Sequence, residues 1–354
     1  MMQRTVKSLF FLVIFLICLA SMLRTLIWSM VDNNTMAPFK PPHRKKQHPG
    51  PAELCEGCKV AIEKVKNVTS QTLKKNEYNF EKLRLQLKSQ CNGSEKAIIT
   101  QANTPLGSKI RYDGEQSRTH EVKLKTFNTF VKVRPFQRKT YETCAVVGNG
   151  GILRDSGCGE EINSAQFVIR CNLPPLDNGF EEDVGNKTDL VTANPSIFVQ
   201  RYNSLMKHRR SFAENLRIYG NSLLLCPAFS YGINTNLCQR AADSVKEFKI
   251  PMQTVYLNPE YLLSLVRFWS SQGLKEHRQS TGLMMVSLAL ELCDDVHLYG
   301  FWPYSNHPHG LYALTNHYYD NVMPKRGVHS MSQEFDLLLK LHSQGVLRLH
   351  LEDC

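Results

Sequence analysis

Acidic residues are scarce in this chain of 354: 32 aspartates and glutamates stand against 43 lysines and arginines, a formal net charge of +11. That balance favours acidic partners such as nucleic acid, anionic lipid, nucleotides or acidic sugars, and a solvated basic surface accounts for it equally well. No Gly-Lys-Ser or Gly-Lys-Thr is present, which excludes a P-loop. Among the eleven cysteines the only Cys-x-x-Cys is Cys55 to Cys58. No second pair and no histidine pair follows it at zinc spacing, so structural disulfides or stem cross-links account for it better than a metal.

What is present begins with an apolar N-terminal run. SLFFLVIFLICLASML (Ser8 to Leu23), extended beyond Arg24 by TLIWSMV (Thr25 to Val31), is long enough to span a thin bilayer. Arg4 and Lys7 precede it, favouring a cytoplasmic tail and a luminal remainder, although Lys40, Arg44, Lys45 and Lys46 blunt the asymmetry. The expectation is a cytoplasmic tail over 1–7, a signal anchor over 8–31, a stem over 32–95 and one folded domain over 96–354. A cleaved signal peptide is the competing reading, but no small-x-small site follows the run; both readings export the rest. Sequons at Asn33, Asn67, Asn92 and Asn186 agree with export, as do ten cysteines scattered beyond the anchor.

APFKPPHRKKQHPGP (Ala37 to Pro51) is rich in proline and basic residues and predicts an extended spacer. From Ala52 to about Gln90 the apolar residues Val60, Ile62, Val65, Phe80, Leu83, Leu85 and Leu87 recur at helical spacing. Beyond Lys139, short apolar runs alternate with helical stretches. The runs are CAVVG, QFVIRC, DLVTA, SLLLCP, TVYLN and DVHLYGF; the helical stretches include Pro259 to Ser271 and Thr281 to Leu292. This alternation predicts an α/β fold, a Rossmann-like, mostly parallel twisted sheet flanked by helices. Ligands in such sheets sit at the carboxyl ends of the strands, so functional residues should follow the apolar runs.

The first run, CAVVGNGGIL (Cys144 to Leu153), ends in a glycine turn that could bring backbone close to a phosphate or sugar. A dinucleotide fingerprint fails, because position 153 is Leu where a third glycine is needed and QFVIRC is followed by Asn172 rather than an acidic residue.

Specificity comes from the surroundings of that turn. CAVVGNGGILRDSGCGEEINSAQFVIRCNLPP with DVGNKTDLVTANPS resembles the long sialyl motif of the animal sialyltransferases, and QSTGLMMVSLALELCDDVHLYGFWP (Gln279 to Pro303) resembles their short motif. NHYYDN (Asn316 to Asn321) is similar to the third motif, and His329 to Glu334 has the H-x-x-x-x-E spacing of the fourth. RCNLPP, NPSI and HYYDN are most similar to the alpha-2,8 branch. The resemblance implies the sialyltransferase variant of the GT-A type, a single catalytic domain on an anchor and stem. It also implies an inverting transfer of sialic acid from CMP-sialic acid to a sialylated glycan acceptor in the Golgi lumen, the chain being a single-pass type II protein of the Golgi membrane.

Carried over residue by residue, the resemblance makes His329 the base that takes the proton of the attacking hydroxyl, a task suited to a group titrating near neutrality. It makes His317 the contact to the leaving phosphate. Asn149, Asn172 and Trp302 would bind the donor, Trp302 by stacking; Ser280, Thr281 and Gly282, opening a predicted helix after the basic KEHR segment, offer it hydroxyls, free amides and a positive helix end. Asn194, Pro195 and Ser196, with Gly300 and Phe301, match positions implicated more weakly in substrate binding. Blander roles compete: a surface histidine paired with Glu334, a loop histidine, a plain helix cap at Ser280, core packing for the rest. Glu334 would orient the ring of His329 or cap a helix beginning near Ser332. Asn316 stands where related enzymes carry an aromatic, which leaves its side-chain contacts open. The resemblance also pairs Cys144 with Cys293 and Cys158 with Cys354 and leaves Cys171 as a buried thiol; Cys226 with Cys238 is a further candidate pair.

No cofactor or metal is expected, since no Asp-x-Asp follows a strand and His307 and His309 have no partner at ligand spacing. Expected partners are CMP-sialic acid, a sialylated acceptor and the Golgi membrane, with a second copy of the chain as a further candidate and nucleic acid excluded. Arg118 to Lys139 is basic, but the stretch before the short motif mixes Lys246, Lys249, Arg267 and Lys275 with Asp243, Glu247, Glu260 and Glu276. One or a few additions are therefore expected rather than long polymers. A catalytically silent sialoglycan-binding protein on the same fold, a different linkage, and a dinucleotide-dependent oxidoreductase are the competing functions.

Overall fold

The protein is represented by a computed structural model, which describes residues 52–55, 57–69, 74–136, 140–275, 278–322 and 331–354. The expected tail and anchor, the basic spacer, the Asn33 sequon and His329 lie outside these residues. Among the described residues no helix is long and apolar enough to cross a membrane.

An antiparallel hairpin of β1 (Lys109–Arg111) and β2 (Thr119–Glu121) precedes the main sheet. That sheet has seven parallel strands: β3 (Tyr141–Val147), β4 (Phe167–Arg170), β5 (Leu190–Thr192), β6 (Leu223–Cys226), β7 (Gln253–Tyr256), β8 (Cys293–Tyr299) and β9 (Arg348–His350). Their spatial order is β7-β6-β5-β4-β3-β8-β9, every neighbouring pair parallel. The chain thus moves outward from β3 to β7 and then restarts on the other side of β3 with β8. The carboxyl ends of β3 and β8 therefore flank a topological switch point, where ligands bind in open parallel sheets.

Helices cover both faces. One core holds α1 (Cys58–Thr69), α2 (Glu77–Gln90), α7 (Pro259–Ser271), α8 (Thr281–Leu292) and α9 (Met331–Ser343). The other holds α3 (Gly159–Ser164), α4 (Pro195–Gln200), α5 (Arg209–Leu216) and α6 (Gly232–Glu247). The pleat sorts the strand residues: Cys144, Val146, Val296 and Leu298 face the first core, Ala145, Val147 and Tyr299 the second. Helix starts are encoded locally. At α7, Asn258 Oδ1 accepts from Glu260 N at 3.0 Å and Pro259 takes the first helical position.

The expectation of a stem running to residue 95 gives way here. Ala61, Ile62 and Val65 of α1 and Phe80, Leu83 and Leu87 of α2 are buried in the first core, so the folded body begins near Cys58. Val60 and Leu85, counted in the apolar stripe, face solvent at 58% and 63% exposure. Cys144–Cys293 joins β3 to β8 with Cα atoms 5.9 Å apart, and Cys158–Cys354 tethers the last residue with 4.8 Å. Cys55–Cys58 and Cys226–Cys238 are also bridged, while Cys91 and Cys171 are buried thiols. Burial pushes the Cys171 thiol up to about 12, which keeps it unreactive. Asn67 and Asn186 are exposed and Asn92 is half-buried.

Candidate active site

Three motif segments meet at the switch point. Leaving β3, Gly148 N donates to Tyr299 O (2.8 Å) and Gly150 N to Gly300 O (3.0 Å), so the turns after β3 and β8 are stitched backbone to backbone. A Cβ at Gly148 or Gly150 would stand 2.7 Å from Gly300 O, and one at Gly151 would collide with Thr315 O. These glycines are thus required by the approach of other protein backbone, which corrects the expectation that they make room for a nucleotide sugar. The third segment enters the same seam, with Tyr318 N donating to Asn149 O at 3.0 Å and Gly150 bridged to His317.

Asn149, Asn172, Asn194 and Thr281 form a chain of side chains along the strand ends. Asn149 Nδ2 donates to Cys171 O (2.7 Å), Asn194 N to Asn172 Oδ1 (3.0 Å), and Thr281 Oγ1 to Asn194 Oδ1 (3.1 Å). Asn172 takes a left-handed φ of 68°, and its amide donates to Thr192 Oγ1 at 2.9 Å. One acceptor is left over: Asn149 Oδ1 is buried and has no partner among the described residues. A buried acceptor of that kind needs a donor, which a bound ligand can supply.

His317 is half-exposed. Its Nδ1 lies 2.6 Å from Asp320 Oδ2, its ring stacks on Tyr319 at 5.0 Å, and the Asn316 amide nitrogen packs 3.1 and 3.2 Å from its two ring nitrogens. Asp320, accepting from Nδ1–H, orients the ring, with Nε2 on its other side beside the Asn316 amide nitrogen. Arg154, which sequence reasoning missed, donates from Nε to Tyr318 O and from its guanidinium to Asp320 O, both at 3.0 Å. The Arg154 turn is itself held by Asp183, whose carboxylate accepts from Asp155 N (2.9 Å) and Gly157 N (3.0 Å). The signals were the Arg in ILRD and the Asp in EEDVG, neither of which has a distinctive spacing.

Two expectations are corrected by what the side chains touch. Trp302 is only 4% exposed, its indole N–H donates to Asn306 O at 2.7 Å, and its ring packs edge-on against Phe335. It is a core residue under the site and not a stacking platform. Ser280 is buried, with both its donors committed: its amide gives a 2.7 Å bond to Glu334 Oε1 and its hydroxyl bonds Glu334 Oε2, while Oγ accepts from Leu283 N at 3.1 Å. Glu334 therefore caps α8 from α9 and supplies the anion that the helix N-terminus attracts. Its expected role at the start of its own helix is replaced by one at a helix about fifty residues earlier.

Of the remaining residues, Gly282 lies against the Phe301 ring, 2.8 Å from a Cβ built there, and Gly300 has φ 75°. Pro195 starts α4, and Ser196 is exposed. The structure therefore brings Asn149, Asn172, Asn194, Thr281 and His317 to one edge, and takes the side chains of Trp302 and Ser280 out of it.

Comparison with known proteins adds the chemistry. The family described as Glycosyltransferase family 29 (sialyltransferase) matches residues 98–346. The human protein named Alpha-2,8-sialyltransferase 8E is 47% identical over 264 residues, covering 75% of this chain and 70% of its own. Mouse Alpha-2,8-sialyltransferase 8F is 42% identical over 275 residues, covering 78% and 69%. The Xenopus tropicalis protein named Alpha-N-acetylneuraminide alpha-2,8-sialyltransferase is 43% identical over 281 residues, covering 79% and 81%. Among solved structures, a mammalian sialyltransferase aligns over 90% of this chain and 95% of its own at 20% identity, with a TM-score of 0.42.

Proposed function

The chain belongs to glycosyltransferase family 29, the sialyltransferases, and from that premise we propose that it is an alpha-2,8-sialyltransferase. It moves sialic acid from CMP-sialic acid, with inversion, to the 8-hydroxyl of a terminal sialic acid on a glycolipid or glycoprotein glycan. The observation that carries this reading is the meeting of three motif segments at the β3/β8 switch point, where Asn149 keeps a buried acceptor with no partner among the described residues.

The roles we assign rest on the family's motifs and, for the described residues, on the contacts they make. Asn149 Oδ1 accepts from an N–H or hydroxyl of the donor, and Asn172 and Asn194 frame the same edge with Thr281 and Gly282 of the first turn of α8. His317, doubly protonated and giving Nδ1–H to Asp320, donates from Nε2–H to the leaving phosphate of CMP. His329 takes the proton from the acceptor hydroxyl as its oxygen bonds to the anomeric carbon and the bond from that carbon to the phosphate oxygen breaks. Asn316 buttresses the His317 ring, which accounts for a polar residue there. None of these steps needs a metal. Anchoring in the Golgi membrane with the folded body luminal, glycans on exposed Asn67 and Asn186, and one or a few additions per acceptor complete the proposal.

CMP release with a sialylated acceptor, with linkage analysis of the product, tests it. His329→Ala is expected to lower kcat by about 10²- to 10⁴-fold, and His317→Ala by about 10²- to 10³-fold. Undiminished turnover by His329→Ala removes it as the base. Product chains of dozens of units would overturn the short-product reading.

A further inference from the structure

Away from the strand ends, three side chains converge where β8 and β9 meet α3. His297 sits mid-strand in β8 between Val296 and Leu298, which face the first core, so its ring projects from the opposite face. Its Nδ1 lies 3.0 Å from Nε2 of His350 in β9. Glu161 Oε1 of α3 stands 3.9 Å from the first nitrogen and 3.7 Å from the second. Ligand atoms around a tetrahedral zinc at ordinary bond lengths are about 3.4 Å apart, a value these three separations straddle.

The surroundings are arranged as metal-ligand surroundings are. Asp295 Oδ2 lies 3.3 Å from the far nitrogen of His297, so a proton held there leaves Nδ1 free to donate its lone pair toward the site. The Tyr299 ring stacks on His350 at 4.2 Å, fixing the plane of one of the three ligands. Both rings are largely buried while Glu161 is exposed, which leaves a side open to an entering ion and to water.

We propose that Glu161, His297 and His350 form a zinc site, completed by water, that fastens β9 and the C-terminal segment to the sheet. Two imidazoles and one carboxylate suit a borderline ion such as zinc better than the oxygen-seeking magnesium or calcium. The role is structural. Glu161 lies three residues past Cys158 and His350 four before Cys354, so the ion closes the same two segments that the Cys158–Cys354 bridge joins. It takes no part in the transfer reaction.

The full chain, purified in detergent without reductant and stripped by a chelator, is titrated with zinc chloride and, as a spectroscopic probe, cobalt chloride. The expected result is one equivalent of zinc per chain, visible absorption typical of four-coordinate cobalt, and a Tm raised by about 5 °C at zinc a hundredfold above its Kd. His350→Gln abolishes the uptake. Glu161→Gln, at an exposed position that leaves the fold intact, weakens it at least tenfold, and Asp295→Asn weakens it about tenfold through His297. Failure of the wild-type chain to take up zinc, or equal uptake by wild type, Glu161→Gln and His350→Gln, overturns the proposal and leaves the cluster as stacked rings sharing a proton.

Discussion

Glu334 satisfies two buried donors of Ser280 across more than fifty residues of chain, and its removal would leave both without an acceptor. Glu334→Ala is expected to cost about 2–4 kcal/mol of stability, the desolvation of two orphaned donors. Because the two residues share one interaction, a double-mutant cycle with Ser280→Ala should return a coupling of about 1–3 kcal/mol by denaturant unfolding; strict additivity would dismiss the tie. Glu291 makes a second residue-scale case. It is buried, accepts from Gly93 N at 2.8 Å, and burial raises its carboxyl to about 7 against an ordinary 4.5. The folded state therefore holds this proton more tightly than the unfolded chain. Its contribution is complete below about pH 4.5 and is lost as pH rises through about 7, a swing of about 3 kcal/mol at most. Glu291→Gln removes the titration, so its stability relative to wild type should climb between pH 5 and pH 8. Parallel pH profiles of the two proteins would sink the assignment.

Two glycines of the short motif look interchangeable in sequence and differ in what surrounds them. Gly300 has φ 75°, and a Cβ there would sit 2.7 Å from Leu153 Cδ1 and 2.9 Å from Gly148 O, so backbone strain and a backbone collision add. At Gly282 the nearest atom is the end of the Phe301 ring, a side chain that can give way, and alanine favours the first turn of a helix. Gly300→Ala should therefore cost about 2–4 kcal/mol and most of the activity, whereas Gly282→Ala should stay within about 1 kcal/mol of wild type. Equal losses on thermal unfolding would refute the distinction. The same contrast explains what was legible. Six strands of the sheet were readable because a buried parallel strand is a short apolar run bounded by turns, as in FVIR and LLLC. β9, reading Arg-Leu-His, carries no such pattern, since an edge strand of three residues buries one side chain. Trp302 misled because an aromatic that follows a strand looks the same whether it stacks on a ligand or roofs a core. Of the site, the asparagines were legible from their places after strands; Arg154, Asp183 and the destination of Glu334 were not, since each acts on backbone or side chains distant in sequence.

For the whole molecule, the two long-range disulfides are not independent. Alone, Cys158–Cys354 closes a span of 196 residues. With Cys144–Cys293 in place the circuit shortens to about 75 residues, the segments 144–158 and 293–354, and the chain-entropy benefit shrinks by about 1 kcal/mol. Cys354→Ser should therefore cost about 2–4 kcal/mol in the intact protein and about 1 kcal/mol more in a background lacking the Cys144–Cys293 bridge. That circuit encloses α9, but α9 has a second fastening, since Glu334 grips Ser280 and Phe335 packs on Trp302 without help from the chain end. The bridge should thus govern stability more than turnover. In Cys354→Ser we expect a Tm lower by about 5–10 °C and turnover at 25 °C within about threefold of wild type. A tenfold loss of kcat at 25 °C, in protein that is still folded by circular dichroism, would mean that the tether shapes the site directly. The anchoring of the catalytic segment through Glu334 would then be the wrong account.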